Sequence, residues 1–484
     1  MSDTAIKGLE PKLVWEHFYA ISQVPRPSKK EEKVRAWVRS WAKEHNFPFK
    51  EDKVGNIVIS VPASKGKEKS PTIVLQGHID MVCEKNKGTE HDFENDPIKL
   101  LKEGGWITAD GTTLGADNGI GVAAGMAVAL DKKAVHGPLE LLLTIDEETG
   151  MTGVNALKKD FITGKTLLNM DSEEDGAFYV GCSGGQDTVG TFAVDWVNAK
   201  RGTKPFEVQL TGLKGGHSGL DIHVGRANAI KLLGQFLNQL NVPFQIAEVN
   251  GGSLRNAIPR EAEVVLMLKE KDLNKMKSAA RKFVANALLE FKTNDPGLVI
   301  KTKKLDKKVA KVFSNDLTKR FINSILAMPH GVMAMSPDIP GLVETSTNLA
   351  TVKMQRSKII IGTSQRSSIE TAKRNITDMV VAVFQLAGAK AVIGDSYPGW
   401  QPNMESNLLK VAKGVFKNLF KKNPKIKAIH AGLETGLLGS KYPGLDMISF
   451  GPTIQGAHSP DERLNIKDVE KFYNLLKGIL KELA

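Results

Sequence analysis

Along the first 170 or so residues, short apolar runs alternate with stretches whose apolar positions recur at helical spacing. "EEKVRAWVRSWAKEH" (31–45) predicts an amphipathic helix, and "VGNIVISVP" a strand after it. "PTIVLQGH" then predicts a strand ending at His78, "DNGIGVAAGMAVAL" a long glycine-interrupted helix, and "PLELLLTID" and "KTLLNMD" two more strands. Strand and helix in alternation predict an α/β layer with a mostly parallel central sheet flanked by helices. In such sheets the functional crevice lies beyond the carboxyl ends of the strands.

The rhythm changes in the middle of the chain. "KPFEVQLTG", helix "RANAIKLLGQFLNQL", "FQIAEVNGG", "EAEVVLMLK", helix "KMKSAARKFVANALLEF" and "GLVIKTKKL" read as βαββαβ. A looser second round follows, with helix "LTKRFINSILAM", strands "TSTNLATVKMQ" and "SKIIIGTSQ", helix "IETAKRNITDMVVAVFQLAG" and a short "AKAVIG". The expected organisation is therefore a first layer over residues 1–187, an inserted α+β region of two tandem units over 188–395, and a return to the first layer over 396–484. The return carries helix "NMESNLLKVAKGVFKNLF", strand "LDMISFG" and a terminal helix from Val469 onward.

Composition narrows the function classes. The 484 residues are 41% hydrophobic and 25% charged, and no apolar run approaches the ~20 residues a membrane span needs, so no membrane partner is expected. The amino terminus lacks a basic segment followed by an apolar one, and only Cys83 and Cys182 occur, which together favour a cytoplasmic home. A net charge of +12 raises the question of nucleic acid, but the lysines are scattered and no recognised nucleic-acid motif accompanies them, so no nucleic-acid partner is expected. "ITGKT" lacks the first glycine of a phosphate loop, which would fall at Lys159, and "DSEEDG" has Cys182 where a calcium loop needs glutamate.

A set of groups at strand ends survives: His78, Asp117, the pair Glu147 and Glu148, Asp171, and His458 in "GAHSPDE". Gathering several carboxylates on one sheet edge costs more than packing returns unless cations neutralise them. Two histidines with three carboxylates suit a pair of Zn²⁺, Co²⁺ or Mn²⁺ ions, which a shared aspartate could bridge. Asp80, two residues past His78 on an extended segment, can accept the other ring N–H of a ligating histidine. Of two adjacent glutamates, one can ligate while the other takes the proton of a bound water.

"GHIDMV", "GADNGIG", "DEETGMTG", "DSEEDG", "GGHSG" and "AHSPDE" together resemble the dinuclear zinc aminopeptidase, carboxypeptidase and aminoacylase family, most closely its Xaa-His dipeptidase branch, over nearly the whole chain. The resemblance implies a zinc-peptidase-like α/β domain with an inserted lid, and two divalent ions per subunit, Zn²⁺ with Co²⁺ or Mn²⁺ as substitutes. It implies His78, Asp117, Glu148, Asp171 and His458 as ligands with Asp117 bridging, Asp80 as the orienting carboxylate and Glu147 as the general base. His217 in "GGHSG" matches the lid histidine that stabilises the oxyanion; Asn348 and Arg366 match lid positions that grip the substrate carboxylate, although "SQRSS" departs from the pattern of relatives. Glu434 in "GLETG" is expected to line the pocket, where it could meet the substrate ammonium. The expectation is a cytosolic homodimeric dipeptidase that prefers Xaa-His substrates. N-acyl amino acid deacylation on the same site, and a non-catalytic small-molecule binder on this scaffold, are the alternatives.

Overall fold

The computed structural model describes residues 4–484 and divides into two compact units. The first comprises residues up to Gly181, then Pro402–Ala428 and Leu433–Ala484; the second comprises Cys182–Gln401 and Ile429–Gly432. The crossings expected at 188 and 395 fall inside two paired strands, Gly184–Ala193 and Lys390–Tyr397. Hydrogen bonding across that pair, rather than a linker of distinctive composition, marks the passage between units.

The first unit is built on an eight-stranded sheet. Its centre is parallel: Ile73–His78 lies between Leu139–Thr144 and Thr166–Asn169, and Asp446–Ser449 follows beside the last of these. Antiparallel strands, among them Ile57–Val61 and Ala177–Cys182, extend it on either side. Every residue of Ile73–His78 and Leu139–Thr144 is buried, as expected of parallel strands covered on both faces. Helix Ala116–Leu130 is buried along nearly its whole length, which small residues permit. A Cβ on Gly77 would collide with the Asn118 side-chain carbonyl, so glycine there lets strand and helix approach. The terminal helix Ile466–Leu483 starts at Asn465, whose side chain accepts from the Asp468 amide, and buries Val469, Phe472, Leu476, Ile479 and Leu480 on one face.

The second unit is built on a nine-stranded sheet whose strand pairs are all antiparallel, with two short antiparallel pairs beside it, Trp196–Asn198 with Lys311–Phe313 and Gly216–His217 with Ala257–Ile258. The first expected round appears as Thr203–Thr211, helix Ala229–Gln239, Gln245–Gly251, Ala262–Lys269, helix Leu273–Phe291 and Val299–Lys304. The second half holds helix Asn315–Ala327, Val343–Gln355, Lys358–Ser367, helix Glu370–Leu386 and Lys390–Tyr397, and takes Gly184–Ala193 from ahead of the first half. The two rounds are thus nested, and they join through Gly251 opposite Val352. One apolar core runs beneath both, from Phe206 and Phe236 to Phe321 and Phe384.

Candidate active site

Register explains why the acidic groups meet. His78 pairs with Thr144, Gln76 with Asn169, and Ser449 with Asn169, so four parallel strands end together. His78 ends the first strand; Glu147 and Glu148 follow the second after one tight turn at Asp146; Asp171 follows the third; His458 lies farther on past the fourth, in the turn between Ile454–Gln455 and Arg463–Asn465. Asp117 arrives from the opposite direction, at the start of helix Ala116–Leu130.

Three groups of three ligand atoms form at the strand ends, the atoms of each within 4.8 Å of one another: His78, Asp117 and Asp171; Asp117, Glu148 and His458, which shares Asp117 with the first; and His78, Glu147 and Glu148. His78 Nε2 lies 3.1 Å from Asp117 Oδ1 and 3.4 Å from Asp171 Oδ1. His458 Nε2 lies 3.3 Å from Asp117 Oδ2 and 3.0 Å from Glu148 Oε2. Oε1 of Glu148 and Oδ1 of Asp171 are buried without a hydrogen-bond partner. Buried acceptors left open, two imidazoles and a shared carboxylate fit the donor set that two cations would need. The electrostatics agree. Hydrogen bonds donated by the His458 ring to Asp117 and Glu148 raise its pKa to about 11, the same attraction that these carboxylates would offer a cation.

Asp80 faces away from that centre and organises it. Its Oδ1 lies 3.3 Å from His78 Nδ1 and accepts from the Glu147 amide at 3.1 Å; its Oδ2 accepts from Ser28 Oγ at 2.7 Å and the Glu148 amide at 3.3 Å. Burial opposes its charge, but these bonds hold the carboxyl below the usual range. Glu147 is in the opposite position. Burial pushes it up to about 8; His78 opposes the rise, while Glu434, Glu148 and Asp117 add to it. A fourth acidic group, Glu31, Asp80 and Asp146, is taken up by internal donors: the Lys29 and Asp146 amides bond Glu31, and the Thr149 and Thr152 hydroxyls bond Asp146. It holds the turn before Glu147.

Glu434 is 1% exposed. Its Oε2 accepts from Gln76 Nε2 at 2.6 Å and Thr144 Oγ1 at 2.8 Å, while Oε1 has no partner. Gln76 is itself held by Asn169 at 2.5 Å. Burial raises the Glu434 carboxyl to about 7, against the pull of His78.

The remaining expected residues lie in the second unit. His217 is half-buried, and its Nδ1 accepts from the Gly219 and Leu220 amides at 3.2 and 3.0 Å. A ring that accepts at Nδ1 carries its neutral-state proton on Nε2, so it presents a donor outward. Burial, then Arg366, hold its pKa below 6.5. Arg366 donates from Nη1 to Tyr397 Oη at 2.8 Å and leaves Nε without a partner. Asn348 donates to the Ala257 carbonyl at 2.8 Å and the Arg255 carbonyl at 3.3 Å, and its buried Oδ1 is free. His430, absent from the sequence reading, joins this set: its Nε2 lies 2.7 Å from Ser346 Oγ, and its pKa is lowered to about 3 by burial first and by Arg366 second. The signal was a histidine in "AIHAGLETG" four residues before Glu434.

The sequence pattern described as peptidase family M20/M25/M40 matches residues 74–482. The cytosol non-specific dipeptidase of Escherichia coli is 42% identical over 483 residues, 99% of each chain. The crystal structure of aminoacylhistidine dipeptidase from Vibrio alginolyticus superposes with a TM-score of 0.91 at 41% identity, covering 99% of this chain and 98% of that one. Aminopeptidase PepT from Bacillus cereus shares the fold, with a TM-score of 0.57 at 15% identity over 98% and 99% of the two chains. Strands that end together on a cluster of histidines and carboxylates, a family pattern over most of the chain and a relative alike from end to end agree: this chain belongs to peptidase family M20/M25/M40 and is a hydrolase.

Proposed function

We propose that the chain is a cytosolic dipeptidase that uses two divalent cations, Zn²⁺ with Co²⁺ or Mn²⁺ as substitutes, and that Xaa-His dipeptides are among its preferred substrates. The observation that carries this reading is the pair of three-ligand groups joined through Asp117, with Glu147 beside them. Cytosolic placement and the substrate class follow the two relatives above 40% identity, one named a cytosolic dipeptidase and one an aminoacylhistidine dipeptidase.

His78, Asp117 and Asp171 would hold one ion, and Asp117, Glu148 and His458 the other. The chemistry such ions supply is an acidified water and a polarised carbonyl. The Glu147 carboxylate would take a proton from the attacking water and return it to the departing amine, which requires a carboxyl able to hold a proton near neutrality. Asp80 keeps His78 in the tautomer that presents Nε2. Glu434 accepts the substrate ammonium on its open Oε1; a neutral N-acyl group could not answer that carboxylate, so the free amino end is favoured over the acylated one. His217 is read as the donor to the oxyanion through Nε2–H, and Arg366 with Asn348 as the grip on the substrate carboxylate.

The test is hydrolysis of Xaa-His and other dipeptides against N-acetylated amino acids, with Zn²⁺, Co²⁺ or Mn²⁺ added and an EDTA control. Metal-dependent release of histidine supports the reading; preferential deacetylation, or binding without turnover, replaces it. A homodimer is also proposed. Mixing inactive Glu147→Gln and His217→Ala subunits under exchange tests whether His217 serves its partner: recovered activity places it in trans, and none despite proven exchange places it in cis.

A further inference from the structure

Two buried charged side chains outside the ligand set hold the Asp117 loop from opposite sides. Glu462, 2% exposed, lies four residues after His458. Its Oε2 accepts from the Leu114 and Gly115 amides at 2.8 and 2.9 Å, and its Oε1 from the Ala116 and Asp117 amides at 2.8 and 3.3 Å. Four consecutive amides converge because Gly115, at φ 69°, turns the chain just ahead of the helix that begins at Ala116, where N–H groups lack partners within the helix.

Arg26, 1% exposed, takes the carbonyl side. Its Nη1 donates to the Ile79 and Asp80 carbonyls at 3.2 and 2.7 Å, and its Nη2 to the Gly115 carbonyl at 2.5 Å. One guanidinium therefore ties the segment of His78 and Asp80 to the segment of Asp117. The glycines leave it room: a Cβ on Gly119 would lie 2.8 Å from Nη2.

A second carboxylate beside Asp117 is electrostatically unfavourable, so its presence points to geometry. Only a carboxylate offers two acceptor oxygens to four amides; an amide side chain offers one, and its NH₂ would oppose the other two. We infer that Glu462 and Arg26 are positioning residues that fix the Asp117 carboxylate between His78 and His458, and thereby set the affinity of both cation sites together. The inference rests on the reading of Asp117 as the ligand that both ions share.

The experiment measures Zn²⁺ affinity and stoichiometry by chelator competition on the full chain, for wild type, Glu462→Gln, Glu462→Asp and Arg26→Lys, and records the visible spectrum of each Co²⁺-loaded form. Metal-free melting curves accompany each variant. Glu462→Gln is expected to weaken both ions by roughly 10- to 100-fold and to alter the Co²⁺ spectrum at temperatures well below its own melting. Glu462→Asp, which keeps the carboxylate, recovers part of the loss. Wild-type affinity and spectrum in folded Glu462→Gln overturn the inference. Failure of both Glu462→Gln and Arg26→Lys to fold also overturns it, since the pair would then serve the fold alone. Fewer than two ions in the wild type would instead overturn the two-cation reading on which it rests.

Discussion

Burial and three neighbouring acids let Glu147 hold a proton near neutrality, the property a proton carrier needs, and it shares a three-ligand group with His78 and Glu148. Glu147→Gln should leave metal content near wild type while lowering kcat roughly 10²- to 10⁴-fold, read by metal analysis alongside kinetics. A second residue-scale expectation concerns His430. Its folded pKa, about 3, lies below the ~6.5 of an unfolded histidine, so the neutral ring contributes stability that is complete above pH ~6.5 and lost as pH falls toward 3. Glutamine at 430 should therefore flatten the loss of stability over that window by up to ~1.4 kcal/mol per pH unit, measured as unfolding midpoints of wild type and variant in parallel. These residues differ in how legible they were. His78, Glu147, Glu148 and Asp171 announce themselves because polar groups follow apolar runs at strand ends, and Asp117 and His458 through the motifs "GADNG" and "GAHSPDE". Arg26 and Gln76 act through backbone carbonyls and a neighbouring side chain, contacts that leave no periodic trace in the sequence.

Among elements, the buried parallel strands were readable as apolar runs, while Ala177–Cys182 and Gly184–Ala193 were not. The stretch "GCSGGQDTVG" looks like a loop because glycine is a poor strand former. In the fold these glycines make space instead: the Phe384 ring lies where a Gly190 Cβ would go, and the Tyr397 ring does the same at Gly185. Strand identity there is decided by tertiary packing, which pattern reading cannot see. The same logic governs Gly77. Gly77→Ala should push the Asn118 turn away from its bond to the Met170 carbonyl and cost ~1–3 kcal/mol, with weaker metal binding as the accompanying sign. Denaturant melts of the metal-free variant and chelator competition would check the two effects separately.

At the scale of the molecule, the two units own separate cores, and every three-ligand group among the described residues lies in the first. Unfolding should therefore depart from a single two-state transition. Removing metal with EDTA should lower the transition of the first unit and spare that of the second, since binding stabilises only the fold that binds. The shift corresponds to about 2.7 kcal/mol for a site held at 100 times its Kd. Differential scanning calorimetry before and after chelation, with metal added back, checks it; equal shifts in both components would refute the assignment.

The passage into and out of the second unit has a consequence of its own. Cys182 and Trp400 exchange two backbone hydrogen bonds, at 3.0 and 2.9 Å, so the chain leaves the unit beside the point where it entered. The long segment Cys182–Gln401 can therefore be lengthened or exchanged at one doorway without rethreading the host sheet. The short thread Ile429–Gly432 would have to travel with it, which makes "IHAG" the segment to graft alongside any exchanged lid.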